Sequence, residues 1–138
     1  MKRFYPIGVP GERWGEAERQ QWFAERTIER SYRAEVLDKL DALSQRFDVS
    51  PYGALPLDPE RYPLKAVTAR SKSPERPWVL ITGGVHGYET SGVQGALAFL
   101  DTAVHDYLDR VNVLVAPCVS PWGYEAVSYT HLTLPTKA

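Results

Sequence analysis

The segment spanning residues 78–104 most constrains the fold, because an apolar run leads through a glycine-rich turn into a helical pattern. The run at residues 78–81, Trp-Val-Leu-Ile, shows no polar alternation, which is typical of a strand buried on both faces. Apolar residues then recur at spacings of four, three and four, which places them on one helix face: Val93, Leu97, Leu100 and Val104. A buried strand followed by an amphipathic helix predicts an α/β domain, with a mixed or mainly parallel sheet flanked by helices.

His86 and Glu89 lie in the turn between this strand and this helix. Open α/β sheets bind ligands at the carboxyl ends of their strands, and three glycines allow the chain to turn there: Gly83, Gly84 and Gly87. Catalytic zinc commonly takes three protein ligands, often two histidines and a carboxylate, and keeps one position for water. His86 and Glu89 are therefore candidate zinc ligands. The spacing alone also fits an acid near a helix amino terminus and a hydrogen-bonded loop histidine.

This turn resembles the first metal-binding motif of the zinc carboxypeptidases, the carboxypeptidase A-like metallopeptidases, in its residues Gly83-Gly84-Val85-His86-Gly87-Tyr88-Glu89. A second apolar strand at residues 111–117 precedes a segment similar to the family's Asn-Pro-Asp-Gly-Tyr-Glu: Ser120-Pro121-Trp122-Gly123-Tyr124-Glu125. Ser120 and Trp122 replace the usual Asn and Asp, which suggests a bacterial-type branch. The resemblance covers roughly residues 62–125.

The resemblance implies a zinc-dependent metallocarboxypeptidase that hydrolyses a peptide or peptide-like amide bond through a metal-activated water. His86 and Glu89 would be metal ligands, whereas the third ligand, the general base and the carboxylate-binding arginine are expected beyond residue 125. The expected partner is a peptide or N-acyl amino acid substrate, and this chain alone is expected to be inactive. Two alternatives stay open: an N-acyl amino acid deacylase of the aspartoacylase/succinylglutamate desuccinylase type, and a non-catalytic carboxypeptidase-like binding domain.

The carboxyl-terminal residues have a separate explanation at the nucleotide level. The nucleotide string GTC TCT TAT ACA CAT CTG ACG CTG CCG ACG would encode residues 127–136, and this string resembles the adapter of transposase-based sequencing libraries. We therefore expect residues 1–126 to be the amino-terminal part of a zinc carboxypeptidase-like catalytic domain and residues 127–138 to be a translated adapter tail. His131 is accordingly not expected to be the third ligand. The competing interpretation is a natural polar strand at this end of the chain.

Net charge and cysteine content narrow the possible binding partners and chemistry of this chain. The 138 residues carry 16 basic and 17 acidic side chains, so the net charge of -1 makes nucleic acid an unexpected partner. Cys118 is the only cysteine, which excludes an internal disulfide and favours a small buried residue over a nucleophile. With no signal-peptide pattern and no segment long enough to span a bilayer, we expect a cytoplasmic protein without a membrane partner. The oligomeric state is left open.

The amino-terminal half is predicted to contain two helices and one or two strands. The first helix is expected at residues 16–31 and the second at residues 34–47, with a buried stripe of Val36, Leu37, Leu40, Leu43 and Phe47. The proline-rich residues 47–63 are predicted to be a loop with one short strand. Residues 64–70 partly alternate, which predicts a strand nearer the sheet edge than the next two. Because the family's domain is larger than this chain, we expect the sheet to expose an edge or a face.

Overall fold

A computed structural model describes residues 7–127, in which four strands form one sheet. The strands are β1 (Asp48–Ala54), β2 (Pro63–Ala69), β3 (Trp78–Thr82) and β4 (Asn112–Ala116). Their order across the sheet is β1-β2-β4-β3. β2 pairs antiparallel with both β1 and β4, whereas β3 and β4 are parallel. The sheet is therefore mixed, as one of the two predicted arrangements requires.

The described residues also form four α-helices: α1 (Glu16–Ala24), α2 (Asp38–Leu43), α3 (Thr90–Thr102) and α4 (Pro121–Ala126). A π-helical turn, Arg33–Leu37, leads into α2, and a 3₁₀ turn, Val104–Tyr107, follows α3. The first predicted helix is shorter than expected, because the chain after Ala24 leaves the helix and the Glu29 amide donates to the Glu125 carbonyl oxygen at 2.7 Å. Among residues 7–127, no helix is long and apolar enough to cross a membrane.

The core lies between the sheet and the helices α2 and α3. Both predicted helical stripes are buried: Val36, Leu37, Leu40, Leu43 and Phe47 from the first, and Val93, Leu97, Leu100 and Val104 from the second. They pack against inward-facing sheet residues that include Val67, Val113 and Val115. These two stripes therefore confirm the helical periodicity read from the sequence. The second predicted helix ends earlier than expected, at Leu43.

The position of β3 differs from the prediction of a strand buried on both faces. β3 is an edge strand, and three of its apolar side chains are 50%, 40% and 65% exposed: Trp78, Val79 and Leu80. The predicted order was also wrong for residues 64–70, which form the interior strand β2 between β1 and β4. An apolar sequence predicts that a strand is covered by other elements of the protein, but it does not say which elements cover it. The exposed edge agrees with the expectation of an incomplete sheet.

The proline-rich residues 47–63 contain a full seven-residue strand, β1, rather than a loop with one short strand. The register of β1 against β2 shifts between Pro51 and Gly53. An edge strand tolerates proline because one side of its backbone needs no partner, and a bulge absorbs the irregularity. Among the described strands β1 pairs only with β2, so it satisfies this condition.

The parallel pair of β3 and β4 determines where the candidate site lies. α3 connects the two strands, so their carboxyl ends meet at one edge of the sheet. The pairing continues beyond the strands, since the Gly83 amide donates to the Ala116 carbonyl oxygen at 2.9 Å. The segments that follow β3 and β4, which carry the two family-like motifs, therefore lie side by side.

Candidate metal centre

His86 and Glu89 come together in the turn between β3 and α3. The distance between His86 Nδ1 and Glu89 Oε2 is 3.4 Å, and their side chains are 64% and 52% exposed. The Glu89 amide donates to the His86 carbonyl oxygen at 3.0 Å, which closes the turn between them. The two residues predicted as ligands therefore present an imidazole nitrogen and a carboxylate oxygen to solvent at the carboxyl edge of the sheet.

The separation of these two atoms fits a zinc ion. Zinc bonds to histidine nitrogen and carboxylate oxygen are about 2.0–2.2 Å long, so tetrahedral geometry places two such ligand atoms about 3.3–3.5 Å apart. The observed 3.4 Å lies in that range. Within residues 7–127, no cluster of three or more His, Cys, Asp or Glu side chains could hold a metal. The described part of the chain thus brings two candidate ligands together, and His131 lies outside the described residues.

The Glu89 carboxylate does not cap α3, although Glu89 occupies the position that precedes the helix. Its side chain makes no capping hydrogen bond to the helix backbone. Instead it faces His86 and accepts a hydrogen bond from the Tyr88 hydroxyl at 3.2 Å. The Tyr88 ring is nearly parallel to the His86 ring, with the centroids 6.2 Å apart. Glu89 therefore does not act as a hydrogen-bonding cap of α3, and its role as a metal ligand stays a prediction.

Residues 83–89 are called the metal-motif turn below. The glycines in this turn have two different roles. Gly84 has φ of +63°, a left-handed conformation that favours glycine and produces the predicted tight turn. Gly83 and Gly87 are required for close packing instead. A methyl group at Gly83 would lie 2.6 Å from the carbonyl oxygens of Gly92 and Pro117, and one at Gly87 would lie 2.2 Å from the carbonyl carbon of Gly123.

The second family-like segment forms the short helix α4, which packs directly on the metal-motif turn. The amides of Val119 and Ser120 donate to the carbonyl oxygens of Gly83 and Gly84, both at 3.0 Å. The close contact between Gly87 and Gly123 continues this packing into the helix. No local pattern in the sequence reveals this contact, because residues 87 and 123 are far apart in the chain. Two glycines, each within a family-like motif, were the only signal that pointed to it.

Glu125 lies at the far end of α4 and is 3% exposed. Its Oε1 accepts a hydrogen bond from the Tyr32 amide at 2.8 Å. Its Oε2 accepts from Arg61 Nε at 2.8 Å and from the Tyr62 hydroxyl at 2.9 Å. Burial, reinforced by this carboxylate, raises the pKa of Tyr62 to about 12. Because three donors occupy the Glu125 carboxylate, it is not placed to act as a general base.

Trp122 and Tyr124 attach α4 to other helices. The Tyr124 hydroxyl donates to the Glu35 carboxylate and accepts from Gln94 Nε2 at 2.8 Å. The Trp122 ring stacks on Phe23 of α1 with centroids 5.7 Å apart, and Trp22 lies 5.8 Å away. The tryptophan that stands where the family has Asp therefore contacts a helix from the amino-terminal part of the chain.

Cys118 follows β4 and is 2% exposed. Burial raises the pKa of its thiol to about 12, against a weaker opposing effect of a hydrogen bond with the Ser120 backbone. A thiol with so high a pKa holds almost no thiolate near neutral pH, and the thiolate is the nucleophilic form. This environment confirms the expectation of a small buried residue.

Comparisons with known proteins agree with this geometry. The zinc carboxypeptidase family matches residues 59–135, which is more than half of the chain. The match includes β2, β3, β4 and the metal-motif turn, and it extends into the residues assigned above to an adapter tail. That assignment stays a prediction. The sequence has no significant match among curated proteins.

Solved structures share the fold. A candidate metallopeptidase from Shewanella amazonensis SB2B is 26% identical over 67% of this chain, with a TM-score of 0.52. A similar protein from Shewanella denitrificans OS217 is 25% identical over 67% of this chain, with a TM-score of 0.51. Bovine thrombin-activatable fibrinolysis inhibitor, solved in complex with tick carboxypeptidase inhibitor, is 19% identical over 71% of this chain, with a TM-score of 0.56.

The chain covers 33% of the length of each of these three structures. The two Shewanella proteins agree with the family match, and the bovine protein, at its lower identity, shows the shared fold. Together with the histidine–glutamate pair at the carboxyl end of β3, these findings show that the chain belongs to the zinc carboxypeptidase family.

Proposed function

We propose that the protein is a zinc-dependent metallocarboxypeptidase in which this chain supplies two zinc ligands, His86 and Glu89. The 3.4 Å separation of His86 Nδ1 and Glu89 Oε2 carries the proposal, because it suits two ligands of one tetrahedral zinc. Membership of the zinc carboxypeptidase family supports the same chemistry. The substrate is a peptide or peptide-like amide, which binds at the carboxyl edge of the sheet.

The residues of this chain would hold the metal and leave one side of it open. Bound zinc polarises the scissile carbonyl group and lowers the pKa of a water molecule. Both candidate ligand side chains are more than half exposed, so substrate has access to them. The tight packing of the metal-motif turn against α4 keeps the backbone that carries His86 in place.

The remaining catalytic groups are proposed to come from other parts of a longer protein. In the described residues Glu125 is occupied by three donors, and Cys118 is buried with a raised pKa. Glu125 is therefore not suited to proton abstraction, and Cys118 is not suited to nucleophilic attack. A third ligand, a general base and a carboxylate-binding arginine would complete the site. The coverage of 33% of the related structures leaves room for them.

Assays on the intact protein test this proposal and separate its alternatives. Zinc content is measured first, and hydrolysis of blocked dipeptides and N-acyl amino acids is then compared with and without zinc. Zinc-dependent cleavage of the dipeptides, absent in His86→Ala, is the expected result. Cleavage of N-acyl amino acids alone would identify a deacylase. The proposed peptidase would be excluded if the protein bound stoichiometric zinc without hydrolysing any substrate, or if it bound no zinc at all. The absence of bound zinc would favour a binding domain.

Residues 1–126 alone are predicted to be inactive even with zinc present, because two ligands bind zinc weakly and no general base is in place. Purified residues 1–126 are tested on the same substrates, with the His86→Ala variant as control. Zinc-dependent turnover that disappears in the variant would contradict this expectation. The cytoplasmic location expected from the sequence stays a prediction.

A further inference from the structure

We propose that Glu125 is a positioning residue for the metal centre, acting through α4 on the metal-motif turn. This inference rests on the proposed zinc site. Glu125 does not touch the candidate ligands itself. Its carboxylate and α4 connect two other parts of the chain to the backbone beside His86.

The Glu125 carboxylate joins segments that are far apart in the sequence. Tyr32 belongs to the segment that precedes the π-helical turn, whereas Arg61 and Tyr62 belong to the connection between β1 and β2. Each donates one hydrogen bond of 2.8–2.9 Å to the carboxylate. We call this set of four residues the Glu125 cluster. A buried carboxylate with donors from both sides restrains α4 in direction as well as in distance.

The backbone at this end of α4 is held by the same amino-terminal segment. The Glu29 amide donates to the Glu125 carbonyl oxygen, and Arg30 Nη1 donates to the Tyr124 carbonyl oxygen, both at 2.7 Å. These bonds satisfy two of the carbonyl groups that a helix terminus leaves unpaired. The carboxyl end of α4 is therefore restrained through main chain and side chain together.

The amino end of α4 is in contact with the metal-motif turn without intervening side chains. A methyl group added at Gly87 would lie 2.2 Å from the carbonyl carbon of Gly123, so the two backbones touch. Ser120, just before the helix, also donates its amide to the Gly84 carbonyl oxygen at 3.0 Å. Because no flexible side chain separates the backbones, a shift of α4 is transmitted to Gly87 and to its neighbour His86.

The consequence is a link between the Glu125 cluster and the geometry of the zinc ligands. A change that loosens the cluster should alter the separation or orientation of His86 and Glu89, although neither residue is touched. Residues that orient metal ligands from outside the coordination shell typically change metal affinity tenfold to hundredfold when mutated. Since Glu125 acts through a helix, we expect about the lower end of that range.

The test is Glu125→Gln in the intact protein. Glutamine keeps the size of the side chain and can still accept from the Tyr32 amide. Its amide nitrogen, however, would face Arg61 Nε, and two donors cannot bond to each other. We expect zinc affinity, measured by competition with a chelator, to fall about tenfold. We also expect faster amide hydrogen exchange in residues 83–89 of the metal-free protein.

Asn112→Asp is the matched control, because Asn112 is also a buried polar residue that joins separate segments. It is 1% exposed, accepts from the Ser71 amide at 2.9 Å and donates to the Arg76 carbonyl oxygen at 2.8 Å. It lies at the amino end of β4, whereas the metal-motif turn follows the carboxyl end of the parallel strand β3. The control should lose stability without a change in zinc affinity or in exchange of residues 83–89.

The positioning role would be overturned if Glu125→Gln and Asn112→Asp showed the same zinc affinity and the same amide hydrogen exchange in residues 83–89. If Glu125→Gln does not fold, Arg61→Met replaces it, since this variant removes one donor whose side chain is 46% exposed. Arg61→Met should shift both readouts in the same direction by a smaller factor, and no shift would overturn the inference. Wild-type protein that binds no zinc would contradict the proposed function, whereas hydrogen exchange would still test whether Glu125 positions the turn.

Discussion

Glu89 and Glu125 carry the same side chain in two motifs that pack together, but the surroundings of the two carboxylates differ. Both follow strands of the parallel pair β3 and β4 at one edge of the sheet. The Glu89 side chain is 52% exposed and faces His86, whereas the Glu125 side chain is 4% exposed and accepts hydrogen bonds from three donors. An exposed carboxylate next to an imidazole can take a metal ion, while a buried carboxylate with every partner in place holds the chain together.

The largest effect is expected when the exposed pair is removed. In the intact protein, His86→Ala or Glu89→Ala should weaken zinc binding at least about a thousandfold, or about 4 kcal/mol, because each removes one of the three proposed ligands. Chelator competition measures the affinity. His105→Ala is the matched control, since His105 stacks on Phe47 and is not a candidate ligand. Equal zinc affinities for His86→Ala and His105→Ala would contradict the role of His86 as a ligand, and the contrast between Glu89 and Glu125 would then have no basis.

The contact that joins the two motifs is tested by Gly87→Ala. The added methyl group would lie 2.2 Å from Gly123, so one backbone must move, and we expect the free energy of unfolding to fall by about 3 kcal/mol. Gly95→Ala is the control. Gly95 lies in α3, and apart from the backbone of its own helix and its chain neighbours no described atom would lie within 4 Å of the added methyl, so alanine should stabilise the protein by about 0.5–1 kcal/mol. Urea unfolding measures both changes, and equal effects would contradict the close approach.

A third prediction compares the two parallel strands. Val115 of β4 is fully buried, whereas Val79 of β3 is 40% exposed. Val115→Ala should lower the free energy of unfolding by about 2 kcal/mol, because it deletes two buried methyl groups and leaves a cavity. Val79→Ala should lower it by less than about 1 kcal/mol. Urea unfolding of residues 1–126 measures both. A cost at Val79 equal to that at Val115 would show that β3 is covered in solution.

The smallest expected effect is the loss of stability between pH 9 and pH 10. Burial raises the pKa of Cys118 from 9.0 to about 12, so the folded protein retains a proton that the unfolded chain loses above pH 9. This stabilisation is fully present below pH 9 and is lost as the pH rises toward 12, and the loss between pH 9 and pH 10 is about 1 kcal/mol. The buried tyrosines add to the decline above pH 10, since burial also raises the pKa of Tyr62 and Tyr124 to about 12.

Urea unfolding at pH 7 to 11 measures this dependence, with Cys118→Ala as the control. The variant should show a smaller loss of stability between pH 9 and 10 than the wild type. Identical pH profiles for the two proteins would show that the thiol does not titrate differently on folding.

Local features were readable from the sequence because they depend on residues close together in the chain. The stripe of Val93, Leu97 and Leu100 follows from helical periodicity, and each of these residues is buried in α3 as predicted. His86 and Glu89 are three residues apart in a turn, so the turn alone brings their side chains within 3.4 Å. The left-handed conformation of Gly84 is local in the same sense.

Only the tertiary structure decided which strands lie inside and what Glu125 and Gly87 do. The strands β3 and β4 have similar apolar sequences, but in the part of the chain that the structure describes β4 lies between two strands and β3 has only one neighbour. Glu125 meets donors more than 60 residues away, and Gly87 meets a backbone 36 residues away. Sequence patterns report the preferences of single segments, whereas these contacts form only when distant segments pack together, and the packing determines which groups are buried.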